Sequence, residues 1–203
     1  MNLALFDFDG TITTRDVYPG FLQYCSPRWR VVLGWIVLAV PYVGMKRRWV
    51  SPDWMRRAAA WATFAGASER RVREAGERYA RDVIPGLLRP EAMAQLDWHR
   101  AQGDRIVVVS GSMDAYLAPW CRAHGIEVVC NQPAARGGRM TGFFAAEDCA
   151  NEGKVRRLRA VLDPADYPVV YAYGDTEADR AMLALAHRRW YRWCEESPLA
   201  AAA

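Results

Sequence analysis

The chain has 203 residues and a net charge of +4, enough length for one large domain or for a core carrying a smaller insert, either able to bury a substantial apolar interior. Its five cysteines (Cys25, Cys121, Cys130, Cys149, Cys194) lack the paired spacings of zinc sites and redox motifs, and are expected as reduced thiols. The opening MNLALFDFDG meets an acid by position 7 with no basic lead, which argues against a secretory signal and for a cytoplasmic location, with contact at the membrane's cytoplasmic face left open.

Residues 2–9 (NLALFDFD) form a short apolar run ending in acids, the pattern of a buried parallel strand with function at its carboxyl end. Strand signals then stop over residues 13–84. Segments 16–25, 28–48, 51–66 and 68–83 suit helices, with start signals at Ser51-Pro52 and from Ser68 to Arg71. This block holds 13 Lys and Arg against 6 Asp and Glu, a balance of +7, leaving the remainder of the chain at −3. Such charge steers toward phosphate or anionic lipid. No recognition motif or basic aromatic sheet face accompanies it, so no nucleic-acid partner is expected.

Inside the block, residues 31–45 are 15 consecutive uncharged, mostly apolar positions between basic clusters. At 1.5 Å per residue they span about 22 Å, short of a roughly 30 Å hydrocarbon core, and Gly34, Pro41 and Gly44 interrupt them. No transmembrane helix is expected. Three placements stay open: packing against neighbouring helices, peripheral contact with a membrane through basic and tryptophan-bearing ends, or an apolar wall over a substrate.

Beyond the block, helices are expected near 90–102, 113–124, 153–162 and 176–186, and strands at 104–112, 126–131 and 167–175. The Gly pair in RGGRMTGFF (136–144) suits a hairpin of structural role. Alternation of this kind predicts an α/β fold, a Rossmann-like parallel sheet wound by right-handed crossovers. The expected division is a core of residues 1–12 and 85–194, a helical cap at 13–84, and a tail at 195–203. His99, His124 and His187 have no partners at metal spacing and are taken as structural.

Ligands of open α/β sheets bind beyond the carboxyl ends of the strands. There the sequence places DFDGT (Asp7 to Thr11), SGS (Ser110 to Ser112) and GDTEAD (Gly174 to Asp179), with Lys154 at a helix start between the last two. Strand alternation would set Asp7 and Asp9 on one side, with Asp175 arriving close by. Carboxylates so grouped repel one another unless a cation neutralises them, and a hard divalent ion, Mg²⁺, suits oxygen ligands. An ion beside a free carboxylate fits phosphoryl transfer, with the Ser110 hydroxyl, the backbone around Gly111 and Lys154 able to hold phosphate oxygens.

In order and position these four motifs resemble those of the haloacid dehalogenase superfamily, and the helical insert is similar to that superfamily's C1-type cap; the likeness spans residues 3–186. The resemblance implies a nucleophile at Asp7 forming an aspartyl-phosphate, a general acid and base at Asp9, and phosphate binding by Ser110, Gly111 and Lys154. It also implies Mg²⁺ held by Asp7, the Asp9 carbonyl and Asp175, with Asp179 in support. An acid at position 9 favours a phosphate ester over a halide, which needs no proton on leaving.

Within the superfamily the chain is most similar to the phosphoserine-phosphatase-like branch, subfamily IB. It departs where that branch has Glu and Asn, carrying Asp16 and Ala178. Both departures argue against free phosphoserine, with Asp16 kept as a substrate contact. Residues 16–22, the apolar run and HRRWYRW (187–193) resemble bacterial phosphatidylglycerophosphatase C-like members. The expectation is thus a phosphomonoesterase acting on a lipid phosphate such as phosphatidylglycerophosphate, the alternative being a small soluble phosphate ester. A phosphotransferase and a non-catalytic membrane-binding module are further alternatives. Nothing in the sequence sets the oligomeric state.

Overall fold

The computed structural model describes residues 1–47 and 49–196. The chain opens with β1 (Leu3–Phe6), followed by four helices: α1 (Tyr18–Cys25), α2 (Arg28–Lys46), α3 (Pro52–Phe64) and α4 (Glu69–Asp82). Then come α5 (Pro90–Ala101), β2 (Arg105–Met113), α6 (Asp114–Ala123) and β3 (Glu127–Asn131), and a hairpin of β4 (Pro133–Arg136) and β5 (Arg139–Phe144). The remainder is α7 (Glu152–Arg159), β6 (Val170–Gly174), α8 (Arg180–Leu183), β7 (Arg188–Tyr191) and β8 (Cys194–Glu196).

Six strands form one sheet in the order β3-β2-β1-β6-β7-β8, parallel except for the β7–β8 pair. β1 sits at the centre because all four of its residues are apolar and suit a position buried on both faces. Ala4 and Phe6 pack toward α5 and α6, where Leu96, Tyr116 and Trp120 meet them. Leu3 and Leu5 pack the other way, with Val107, Leu158 of α7 and Met182 of α8. This is the expected doubly wound α/β sheet, with four helices inserted after its first strand.

The inserted helices share an apolar core with the sheet, since Phe21, Phe64, Val72 and Tyr79 belong to the same cluster as Phe6 and Tyr116. Gly76 permits the closest approach: a Cβ there would lie 2.0 Å from the Ala115 carbonyl oxygen, so α4 and α6 touch backbone to backbone. The expected helix starts are present, with Ser51 and Ser68 side chains accepting from Trp54 and Arg71 N–H. The β4–β5 hairpin is present as expected, turning at Gly137 and Gly138 with positive φ. It anchors the insert through hydrogen bonds from Gly66 N–H to the Met140 carbonyl and from Met140 N–H to the Ala67 carbonyl.

Three expectations need correction. The helix expected at 176–186 is a 3-10 turn (Glu177–Asp179), started by a Thr176–Asp179 capping box, that runs into the short α8 and ends at Leu183. Residues 188–191 and 194–196 are strands, so Glu195 and Glu196 belong to the sheet; residues 197–203 of the expected tail lie outside the described residues. β1 ends at Phe6, so Asp7 and Asp9 lie beyond the strand and its alternation does not govern them. All five cysteines are free. Among the described residues no single helix is long and apolar enough to cross a membrane; 28–34 and 36–46 reach the length together but are bent by 42°.

His99 is fully buried under β1 and β6. Gln95 donates to the Tyr173 hydroxyl, which is 2.9 Å from His99 Nε2, and His99 Nδ1 is 2.9 Å from Asp104. With the ring neutral, the hydroxyl donates to Nε2 and Nδ1–H donates to Asp104. Burial lowers the His99 pKa below its usual 6.5, against the raising effect of Asp104. Unfolding lets the ring take a proton that the fold excludes, so stability falls as pH drops below about 6.5. The unfolding free energy from urea titrations between pH 7 and 5 should therefore decline more steeply in the wild type than in His99→Gln; equal slopes would contradict the network.

Candidate active site

The carboxyl ends of β1, β2 and β6 meet at the point where the chain's crossovers diverge, with β1 between β2 and β6. Past β1 the backbone stays tied to the sheet, since Asp7 N–H donates to the Tyr173 carbonyl at 2.9 Å. The turn that follows needs Gly10, at φ +81°, where a Cβ would lie 2.3 Å from an Asp175 carboxylate oxygen. The close approach of the two loops depends on that missing side chain.

The centre of the site is a buried ion triad. Lys154 Nζ donates to Asp7 Oδ1 at 2.6 Å and to Asp179 Oδ1 at 2.5 Å, all three side chains being nearly inaccessible. Burial pushes the Asp7 carboxyl well above its usual range; Lys154 opposes this, while Asp179 and Asp9 add to it. Burial also opposes the Lys154 ammonium, but Asp7 and Asp179 outweigh it and hold the amine protonated. Asp179 is lowered despite its burial, because Lys154 and the Thr176 hydrogen bonds stabilise its charge. Burial, reinforced by Asp179, raises Asp175.

Oxygens of Asp7, Asp175 and Asp179 lie within 4.8 Å of one another. Were all three ionised, the carboxylates would outweigh the one ammonium by two negative charges in a largely buried place, and this all-oxygen donor set fits a hard divalent cation. Of the expected ligands, Asp7 and Asp175 thus come together. The Asp9 side chain does not join them.

Asp9 faces α1 and β2 instead. Its carboxylate accepts from Val17 N–H at 2.8 Å and from the Ser112 hydroxyl, which accepts in turn from Tyr116. Asp7 and Asp9 therefore engage different partners, contrary to the single side expected from strand alternation. The Tyr79 hydroxyl donates to the Val17 carbonyl, so the residue that binds Asp9 is held from the inserted helices.

Ser110 is buried, its Oγ accepting from Ser112 N–H at 3.1 Å. The Gly111 carbonyl accepts from Asn131, whose amide also reaches Asp148 at 2.5 Å. This fixes the loop ahead of α7, and Gly153, whose Cβ would lie 2.1 Å from the Asp148 carbonyl oxygen, lets α7 start close enough to deliver Lys154. Asp16 is exposed at the head of α1, its carboxylate accepting from Tyr18 N–H, and it borders a cavity of about 440 Å³ among α1, α2 and α3.

Sequence reasoning named Ser112 within SGS and residues 192–193 within HRRWYRW without giving them a contact, and it missed Asn131. Arg192 and Trp193 sit in the β7–β8 turn at positive φ; Arg192 donates to the Asp175 carbonyl and Trp193 to the Thr11 carbonyl. The middle serine motif pointed to the right loop, but Asn131 and the turn carry no local signal of their long-range partners.

The chain matches the profile of the haloacid dehalogenase-like hydrolases over residues 4–184. It is 34% identical over 194 residues to protein CicA of Caulobacter vibrioides, covering 94% of this chain and 85% of that one. In fold it is similar to a Bordetella pertussis protein of unknown function, with a TM-score of 0.72, 23% identity, and 93% and 88% of the two chains covered. It is also similar to a probable phosphoserine phosphatase from Vibrio cholerae, with a TM-score of 0.66, 16% identity, and 93% and 55% covered.

Replacing Lys154 with Met leaves two buried carboxylates facing each other without their cation. The substitution should cost about 3–5 kcal/mol in metal-free buffer, read from urea unfolding; a loss under about 1 kcal/mol would show that the triad carries no such coupling.

Proposed function

This chain belongs to the haloacid dehalogenase-like hydrolases, and on that basis we propose that it is a Mg²⁺-dependent phosphomonoesterase whose helical cap, residues 13–84, selects the alcohol. The observation that carries the reading is the contact of buried Asp7 with Lys154 beside Asp175 and Asp179. That arrangement suits an anionic nucleophile that must approach an anionic phosphoryl group.

Asp7, Asp175 and the Asp9 carbonyl would hold Mg²⁺, which when bound offsets charge on the phosphoryl oxygens. Lys154 spends two of its three N–H donors on Asp7 and Asp179, leaving the third for a phosphate oxygen. The Ser110 hydroxyl and Gly111 N–H complete the phosphate cradle. An Asp7 oxygen attacks phosphorus in line while the ester P–O bond breaks, and Asp9 gives its proton to the departing alkoxide. Asp9, now a carboxylate, takes a proton from water as that water attacks the aspartyl-phosphate. The attack frees Asp7 and releases inorganic phosphate.

The cavity beside Asp16 supports an alcohol with an apolar chain. Leu22, Val31, Leu38, Met45, Met55 and Ala59 contribute to its wall, and at about 440 Å³ it is of ligand size. We take the substrate to be a lipid phosphate, phosphatidylglycerophosphate being one example. A small soluble ester is the second reading, favoured by the exposed carboxylate of Asp16 at the same cavity and by the fold shared with a probable phosphoserine phosphatase.

Phosphate release from an aryl phosphate should fall by about 10³-fold or more in Asp7→Asn and by about 10²–10⁴-fold in Asp9→Asn. Chelation should abolish it and Mg²⁺ restore it; equal release by wild type and Asp7→Asn would overturn the enzyme assignment. In a series of lipid phosphates in detergent, kcat/KM should rise by roughly tenfold over a few added methylenes, each contributing about 0.8 kcal/mol when buried. A flat series with strong preference for phosphoserine would transfer the assignment to the soluble ester.

A further inference from the structure

The segment from Arg28 to Lys46 is apolar on two opposite faces. Val31, Gly34, Leu38 and Met45 of α2 turn inward to the cavity. Val32, Leu33, Ile36, Val37, Val40 and Val43 follow the i, i+3, i+4 spacing of the other face and stand in solvent, 51–80% exposed. A helix that is apolar all round belongs in a protein core or against lipid, and half of this one has no protein to cover it. An exposed apolar stripe of this kind marks an interaction surface.

The ends of the stripe indicate its partner. Exposed Arg28 and Trp29 stand at one end, exposed Lys46, Arg47 and Trp49 at the other, and α2 contains no acid. At each end a cation lies over an aromatic ring: Arg30 is 5.3 Å from the Trp29 ring and Arg47 is 5.4 Å from the Trp49 ring. Tryptophan and cations flanking an apolar strip match the layered chemistry of a bilayer surface, with acyl chains inside and anionic headgroups above. The 42° bend near its middle suits a helix lying along an interface rather than crossing it.

We propose that the outer face of α2 docks this protein flat on an anionic lipid bilayer, with Val32, Ile36 and Val40 entering the acyl boundary and Lys46 and Arg47 meeting headgroup phosphates. The docking does not depend on the phosphatase reading, because none of these side chains touches the Asp7 centre or lines the cavity. A second copy of the chain is the competing occupant.

Sedimentation of the full chain carrying Asp7→Asn, with phosphatidylcholine vesicles with and without phosphatidylglycerol, tests this without turnover. Binding should require phosphatidylglycerol, weakening at least about tenfold in its absence or at high salt. Ile36→Glu with Val40→Glu should weaken it by at least about tenfold while circular dichroism and Tm stay those of the parent. Lys46→Glu with Arg47→Glu, which leaves the apolar face intact, should abolish the preference for phosphatidylglycerol. Parent protein remaining in the supernatant with both vesicle types would overturn the proposal, as would unaltered binding by both variant pairs. A lipid-free dimer that Ile36→Glu dissociates in sedimentation equilibrium would assign the face to a second copy instead.

Discussion

The buried ammonium of Lys154 is the interaction on which the rest of the site depends. It reaches a carboxylate from the loop after β1 and another from the turn after β6, so one cation joins two segments 172 residues apart, Asp7 and Asp179. Removing such charges from water costs several kcal/mol each, recovered only when geometry and further hydrogen bonds are good. The surrounding structure supplies both. Gly153 lets α7 start against the Asp148 carbonyl, Asn131 ties that loop to Gly111, and Thr176 satisfies the remaining oxygen of Asp179.

The sheet order explains why these segments meet. With β1 between β2 and β6, the two neighbouring loops flank the loop that carries Asp7, and a parallel arrangement brings all three carboxyl ends to one edge. Gly10 allows the Asp175 loop to close over it, and the β7–β8 turn holds the same loops from beyond through Arg192 and Trp193. The acidic cluster of Asp7, Asp175 and Asp179 thereby stands on a scaffold of strand ends.

The inserted helices are not an independent body resting on the core. Phe21, Phe64 and Tyr79 share one apolar cluster with Phe6 and Tyr116, and Val17, at the root of α1, holds Asp9 through its N–H. Any displacement of α1 is therefore felt at the Asp9 carboxylate. At the outer end of the insert, α2 walls a cavity with one face and presents a second apolar face to solvent. One helix thus lies between that cavity and an exposed apolar stripe.

By itself the sequence determined the parallel sheet, the helical insert after the first strand, and the strand ends beyond which Asp7 and Asp175 come together. Those features follow from local apolar periodicity and from acids placed at the ends of apolar runs. Only the tertiary structure decided that Asp9 turns away from Asp7 toward Val17 and Ser112, and that Asp179 serves the lysine and the Thr176 cap together. It also decided that RRWY and CEE pair as strands and that α2 leaves its outer face uncovered. Side-chain direction past a strand end, edge pairing and burial depend on partners distant along the chain, and local pattern holds no record of them. The apolar run is the plainest case: both of its faces are apolar, and only packing distinguishes the side that lines the cavity from the exposed one.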